Sequence, residues 1–478
     1  MTELLAPVGN FSKLKTALYF GADAVYAGGK NFSLRNFSDN FSETELIEAV
    51  NYCHSLNKKI YVTVNIYAKE SQLGEIKDYL FFLNEIHPDG IIISDLGVLS
   101  LAKKYAPALP LHISTQANTL NSEAVNFYRY LGVSRVNLAR EISIGEIKEI
   151  GGAPGSSRPT TPSAIHRPPF TLECFVHGAM CIAYSGRCLL SGFLENRSAN
   201  GGECVQACRW NYEIRKASPP LHCNTAPVLK HPAATRHPSK NHPKKSANEI
   251  CSFDFLGTPK EGNLSAAQPL RNSVIRHPPS TISGETPFMP VEEDKYGSYI
   301  LNGKDLNMLP YLDKLIDAGV TAFKIEGRMK SEYYLATVVN AYRRALDNIN
   351  NKRLLKTLDN ELYKTAHREY TTAFYFGEND NTLSRDNSRT EGTHEFIAIV
   401  LDYNESEKYA LLEMRNRFYK GDKLEVLSPG ANFNKVIVAD KMLDSSGEIV
   451  TDCKLVQEKI KLFTDVKLQA GDILRRGI

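Results

Sequence analysis

The chain of 478 residues has no apolar run approaching the roughly 20 residues a membrane span needs. Its opening, Met1-Thr2-Glu3-Leu4-Leu5-Ala6-Pro7, lacks a basic stretch and a long apolar stretch. No secretory signal is therefore expected, and a cytoplasmic location is. Net charge is small, +3, from 57 basic and 54 acidic side chains. Nine cysteines, an odd number placed unevenly in a chain without a signal, read as thiols or metal ligands rather than disulfides. Two tracts, residues 151–169 and 218–287, lack hydrophobic periodicity and hold 16 of the 23 prolines. Together they carry a charge of +6, which leaves the rest of the chain at −3. The basic excess thus says nothing about a nucleic-acid surface on the chain as a whole. Such a composition does not offset the entropy of ordering a backbone, so both tracts read as loops or disordered inserts. His-Pro recurs at His231, His237, His242 and His277, at spacings that fit no usual metal-ligand pattern. Neither a membrane nor DNA is expected as a partner.

What is present is an ordinary globular mixture, 42% hydrophobic and 23% charged. At roughly 100–200 residues per domain, the length suggests two to four domains. Short apolar runs at Glu3–Val8, Ala24–Gly28, Ile60–Asn65, Gly90–Ser94, Leu111–Thr115 and Arg135–Ala139 alternate with helical patterns such as Phe11–Phe20, Glu43–Leu56, Gln72–Ile86 and Asn121–Leu131. Strands separated by helices of this length make βαβ units and a parallel sheet. A seventh run lies at Phe170–Val176 and an eighth at Ala322–Glu326, followed by a helix from Ser331 to about Asn350. The expected fold class is α/β: a (β/α)8 TIM-like barrel over residues 1–350, with a cysteine-rich excursion after strand seven. Residues 351–392 read as a helical connection. From 393 to 478, alternating runs separated by turns such as Lys420-Gly421-Asp422 predict a small C-terminal antiparallel β-barrel domain.

Chemistry in such barrels gathers at the C-terminal strand ends. There the sequence places Asn65, Asp95, Ser114-Thr115-Gln116 and Arg140-Glu141. Strand seven adds Glu173 and His177, and strand eight adds Lys324, Glu326 and Arg328. Arg140, Lys324 and Arg328 suit the carboxylates of a small acid through charge-assisted hydrogen bonds. Gln116 joins them as a substrate-binding candidate, and His177, Glu173 and Glu326 are the candidates for moving protons. Some of these residues would serve equally well as loop caps or as salt bridges across the mouth.

Cys181, Cys188, Cys204 and Cys208 fall within 28 residues, among glycines that let backbone wrap closely around a compact ligand. Four converging thiolates suit an iron–sulfur cluster or a structural zinc. Only Cys204 and Cys208 have zinc-knuckle spacing, and the wider Cys181–Cys188 gap leans toward a cluster. Cys174, inside strand seven, reads as a core side chain. Tyr184 and Trp210 flank these cysteines and are aromatic candidates for binding a substrate.

The run Leu172-Glu-Cys-Phe-Val-His-Gly-Ala-Met-Cys-Ile-Ala-Tyr-Ser-Gly-Arg-Cys-Leu-Leu-Ser191 closely resembles the signature of the collagenase-like peptidase family U32. Glu3-Leu-Leu-Ala-Pro-Val-Gly-Asn10, Gly21-Ala-Asp-Ala-Val-Tyr26 and Lys324-Ile-Glu-Gly-Arg328 resemble the family's first, second and last barrel strands. The resemblance implies RNA hydroxylation despite the peptidase name. The branch with a C-terminal β domain is associated with 5-hydroxyuridine at the tRNA wobble position. Related branches act on ribosomal RNA cytidine or on a ubiquinone precursor. It further implies a [4Fe-4S] cluster on Cys181, Cys188, Cys204 and Cys208, with prephenate as the oxygen donor and tRNA as the partner. A partner subunit is left unassigned. Both Pro-rich tracts depart from the family pattern but leave its motifs whole.

Two other functions compete. Proteolysis lacks a Gly-x-Ser-x-Gly elbow, and His394-Glu395 is followed by Phe-Ile-Ala without the second histidine of a zinc-peptidase helix. A dyad of His177 with a nearby thiol is conceivable, but a metal-bound thiolate is no free nucleophile. A non-enzymatic RNA-binding scaffold with a zinc-held loop would leave the strand-end charges without a task.

Overall fold

Two faces of each early strand are apolar in different ways, and this alternation shapes the molecule. The computed structural model describes residues 2–33, 40–151, 170–181, 183–188, 190–195, 197–205, 303–377 and 392–478, with short strands between 213 and 298. Strands β1 (Glu3–Pro7), β2 (Ala24–Gly28), β3 (Lys59–Val64) and β4 (Gly90–Ile93) send Leu4, Ala6, Val25, Val62 and Ile91 outward into the main core. Leu5, Ala24, Tyr26, Tyr61 and Ile92 form a separate cluster inside the bore. Burial on both faces is what a parallel barrel requires of its strands.

β5 (Leu111–Ile113), β6 (Arg135–Asn137) and β7 (Thr171–Ala179) continue the parallel order. The closing strand Ala322–Ile325 pairs in parallel with both β7 and β1, so eight strands make a complete ring. Beyond the rim, Asp305–Asn307 pairs antiparallel with His177–Ala179, and Tyr370–Thr371 pairs in parallel with it. Residues 351–392 therefore hold a helix, Lys352–Leu362, and this short strand.

Local signals start the surrounding helices. Asn10, Asp95 and Asn121 accept from the backbone N–H of Lys13, Val98 and Ala124, and Ser42 with Glu45 forms a capping box. Each such cap contributes about 1 kcal/mol. Asp95, a candidate at a strand end, is thus the cap of helix Leu96–Tyr105.

The C-terminal domain is a seven-stranded antiparallel sheet curled into a half-barrel over its own apolar core. Its central pair is His394–Asn404 with Ile473–Gly477. The second strand holds Arg475, which is fully buried against Glu361 of the Lys352–Leu362 helix and Glu425. The helix Glu332–Asp347 reaches the same domain through Arg344, whose Nη2 donates to the carbonyls of Ser428, Pro429 and Gly430 at 3.1, 2.8 and 2.9 Å.

Residues 211–299 form a separate unit, in which Glu213–Lys216, Ser273–Arg276 and Phe288–Val291 make a small antiparallel sheet. The expected insert at 151–169 lies outside the described residues beyond Gly151, and so does most of 218–287, the strand Ser273–Arg276 apart.

No helix among the described residues is long and apolar enough to cross a membrane.

Candidate functional site

Inward positions at the upper ends of the strands, Tyr26, Thr63, Ile92, Asn137, Phe175 and Lys324, floor a cavity of about 130 Å³. Loops after the strands add Asn65, Ser114, Gln116, Arg140, Glu326 and Arg328. The excursion after β7 supplies the thiols of Cys181, Cys188 and Cys204 to the same space. Glu326 is the one carboxylate lining the cavity among the described residues.

Beneath this floor the bore carries charge. Glu173 lies between Lys324 Nζ and Arg135 Nη1, both at 2.9 Å. Arg135 also meets Glu3 at 2.7 Å, and Tyr61 bridges the two by accepting from Arg135 Nη2 and donating to Glu3. Burial alone would raise the Glu173 carboxyl, but Lys324 and Arg135 outweigh it and hold the acid below its usual range. Burial draws Lys324 down, against the opposing pull of Glu173. His112, edge-on to Tyr61, is kept neutral by burial and by the cations Arg135, Lys324 and Lys59.

The rim is built by close approaches. Arg328 Nη1 donates to Ser33 Oγ at 2.9 Å. A Cβ on Gly28 would stand 2.3 Å from that guanidinium nitrogen, so glycine leaves the room it occupies. Gly178, at φ +105°, lies where a Cβ would come within 2.4 Å of the Glu326 carbonyl. Tyr26 OH donates to the Ile325 carbonyl and to Glu326 Oε2, at 3.0 and 3.3 Å. Arg140 stacks its guanidinium 4.2 Å from the Phe175 ring centroid and makes no ion pair among the described residues. Gln116 Oε1 accepts from Asn65 and Ser94, each at 3.4 Å.

The thiols are dressed by polar hydrogens. Cys188 Sγ accepts from Leu190 N–H at 3.3 Å, and Ser191 Oγ donates to Cys204 Sγ at 3.9 Å. Burial raises the Cys188 thiol, with Cys181 and Cys204 adding to it, while the Leu190 N–H opposes. Soft thiolate donors facing one space, with cations across it, fit an iron–sulfur cluster in chemistry and charge. No group of three His, Cys, Asp or Glu among the described residues converges closely enough to hold a single metal ion. A cluster distributes its ligands over several irons, so the two demands differ. Cys208 and Trp210 lie outside the described residues.

The structure brings Cys181, Cys188, Cys204, Gln116, Arg140, Lys324, Glu326 and Arg328 to one cavity. Glu173 sits one layer lower, inside the ion-pair chain. His177 faces the other way. Simple alternation from Glu173 and Phe175 would aim it inward, but a bulge opposite Lys324–Ile325 reverses it. It packs among Tyr334, Tyr342 and Tyr370, its Nδ1 3.3 Å from Tyr342 OH, and burial pulls its pKa down to about 3. Tyr184 is half exposed beside Ser185, whose N–H donates to Glu141 at 2.6 Å. Cys174 is a buried core thiol.

Sequence reasoning passed over Asn137 and Thr63 on the floor, and Glu3, Tyr61 and Arg135 below it. A signal existed. In Arg135-Val-Asn-Leu-Ala139 the inward positions are polar and their neighbours apolar.

A closed parallel barrel with a polar, thiol-lined mouth at the C-terminal strand ends has the layout of a (β/α)8 enzyme. The chain belongs to peptidase family U32. The family's model matches residues 9–385, and that of its C-terminal domain matches 392–475. It is 32% identical to the tRNA hydroxylation protein P1 of Bacillus subtilis (strain 168), over 99% of this chain and 94% of that one. Identity to the tRNA hydroxylation protein P of Haemophilus influenzae is 34%, over 94% and 90%. A 23S rRNA 5-hydroxycytidine synthase of Escherichia coli (strain K12) is 28% identical, over 73% of this chain and 40% of that one.

Proposed function

We propose that this protein is an RNA hydroxylase that takes part in forming 5-hydroxyuridine at the wobble position of tRNA. In this reading Cys181, Cys188, Cys204 and Cys208 hold a [4Fe-4S] cluster, and prephenate is the oxygen donor. The observation that carries it is the shared cavity, where three thiols and the cations Arg140, Lys324 and Arg328 face one space at the barrel mouth. Near full-length similarity to two tRNA hydroxylation proteins supports the reaction class. The similarity to an rRNA hydroxycytidine synthase supports RNA as the substrate type.

When bound, the cluster would supply electron transfer. The chain's own residues bind and orient. Arg140 and Arg328 take the carboxylates of the acid through charge-assisted hydrogen bonds, and Lys324 adds a positive floor. Glu173 keeps that ammonium in place from below. Glu326, with Oε2 bonded by Tyr26, is the carboxylate placed to hold or pass a proton within the cavity. Tyr184, exposed beside the mouth, offers a ring for a base turned out of its stack.

The test is mass spectrometry of tRNA nucleosides from deletion and complemented strains grown without air. Loss of 5-hydroxyuridine on deletion and its return on complementation are expected. Unchanged hydroxyuridine with altered 5-hydroxycytidine in rRNA would move the activity to the ribosome. No change in either RNA would overturn the reading.

A further inference from the structure

We infer that Asn137 pairs with the donor–acceptor edge of the target pyrimidine and so holds that base on the cavity floor. This rests on the RNA reading above. Asn137 ends β6 on the inward face, two residues after Arg135, and lines the cavity floor at 1% exposure. Neither its Nδ2 nor its Oδ1 has a hydrogen-bond partner among the described residues. Its polar neighbours on the same floor do. Lys324 is bound by Glu173, and Thr63 is bound by Ser33 and the Ala27 carbonyl at 2.7 and 3.1 Å.

A buried donor or acceptor left unmade costs about 1–3 kcal/mol, so a carboxamide with both unmet marks a place where something else completes it. A carboxylate does not, because it only accepts and would leave Oδ1 unpaired. It is already matched by the cations of the rim. A flat edge with a donor beside an acceptor satisfies both atoms of the amide at once. Uracil presents such an edge, N3–H beside O4, to a carboxamide that accepts through Oδ1 and donates through Nδ2. Phe175, Tyr26 and Ile92 on the same floor supply the apolar faces that hold a base turned out of its stack.

The experiment compares binding of two anticodon stem-loops to the cluster-loaded protein, one with uridine and one with 3-methyluridine at the wobble position. Methylation removes the N3–H donor. Bidentate amide–base pairs discriminate by about 1–3 kcal/mol, so the wild-type protein should bind the methylated RNA roughly 10-fold or more weakly. Asn137→Ala, with its cluster absorbance intact, should bind both RNAs alike, near the weaker value. Equal binding of both RNAs by the wild type overturns the inference, as does undiminished discrimination by Asn137→Ala. Failure of the cluster-loaded wild type to bind either RNA sinks the RNA reading itself, and this inference with it.

Discussion

The lower bore of the barrel and its mouth are both polar and both buried, yet they are organised in opposite ways. Below, Glu3, Arg135, Glu173 and Lys324 form a chain in which each charge meets its opposite within 2.9 Å. Above, Asn137 has no partner among the described residues and Arg140 lies stacked without an ion pair among them. One region is complementary to itself and the other to something that enters. The contrast lies in the ion pairs, since single atoms below, Arg135 Nε and His112 Nδ1, also lack a hydrogen-bond partner among the described residues.

Substitutions at four places test that contrast. The largest effect is expected at the mouth. Replacing Cys181, Cys188 or Cys204 with Ala should abolish iron and sulfide content and the formation of hydroxyuridine. Thermal unfolding of the metal-free barrel should stay close to that of metal-free wild type. Full cluster content in any of the three would move the ligand set elsewhere. Next comes the lower bore, where Glu173→Ala takes the buried ion-pair partner from Lys324 and leaves Arg135 with Glu3 alone. Removing one partner of a buried pair costs about 3–5 kcal/mol, which denaturant unfolding would register. A loss under 1 kcal/mol would show that the chain of charges is not self-supporting.

Arg140→Ala should cost only about 1 kcal/mol of stability, the loss of its stacking on Phe175. Binding of prephenate, followed by calorimetry, should weaken about 10–100-fold, the equivalent of one charge-assisted hydrogen bond. Unaltered affinity would remove Arg140 from the anion site. At neutral pH the smallest effect concerns His177. Its folded pKa of about 3 lies below the ordinary 6.5, so the unfolded chain binds the extra proton across that window. Stability should fall as pH drops from about 6.5 toward about 3, at up to about 1.4 kcal/mol per pH unit. His177→Phe should flatten that slope while leaving prephenate affinity unchanged. A shifted affinity would return His177 to the site.

Much of this contrast could not be read from the chain alone. Glu173 and Lys324 are 151 positions apart, and nothing local says that they meet. His177 follows the same alternation as Glu173 and Phe175 until the bulge, which arises from pairing with a strand far along the chain. Asn137 was hidden by a boundary, because β6 ends there and not at Ala139. Arg475 is buried against Glu361 of a helix 114 positions away, a contact nothing local announces.

Periodicity was a better guide to architecture. Runs of apolar residues separated by helical patterns were enough for a parallel βαβ barrel, since burial on both strand faces leaves a plain imprint on composition. The clustered cysteines and the basic residues after the strands were legible for the same reason, as residue type and position along one strand are local properties. Which polar groups pair and which are left open depends on register, bulges and contacts between remote strands. Those are set only when the ring closes, so the division between charged scaffold and open mouth belongs to the tertiary structure.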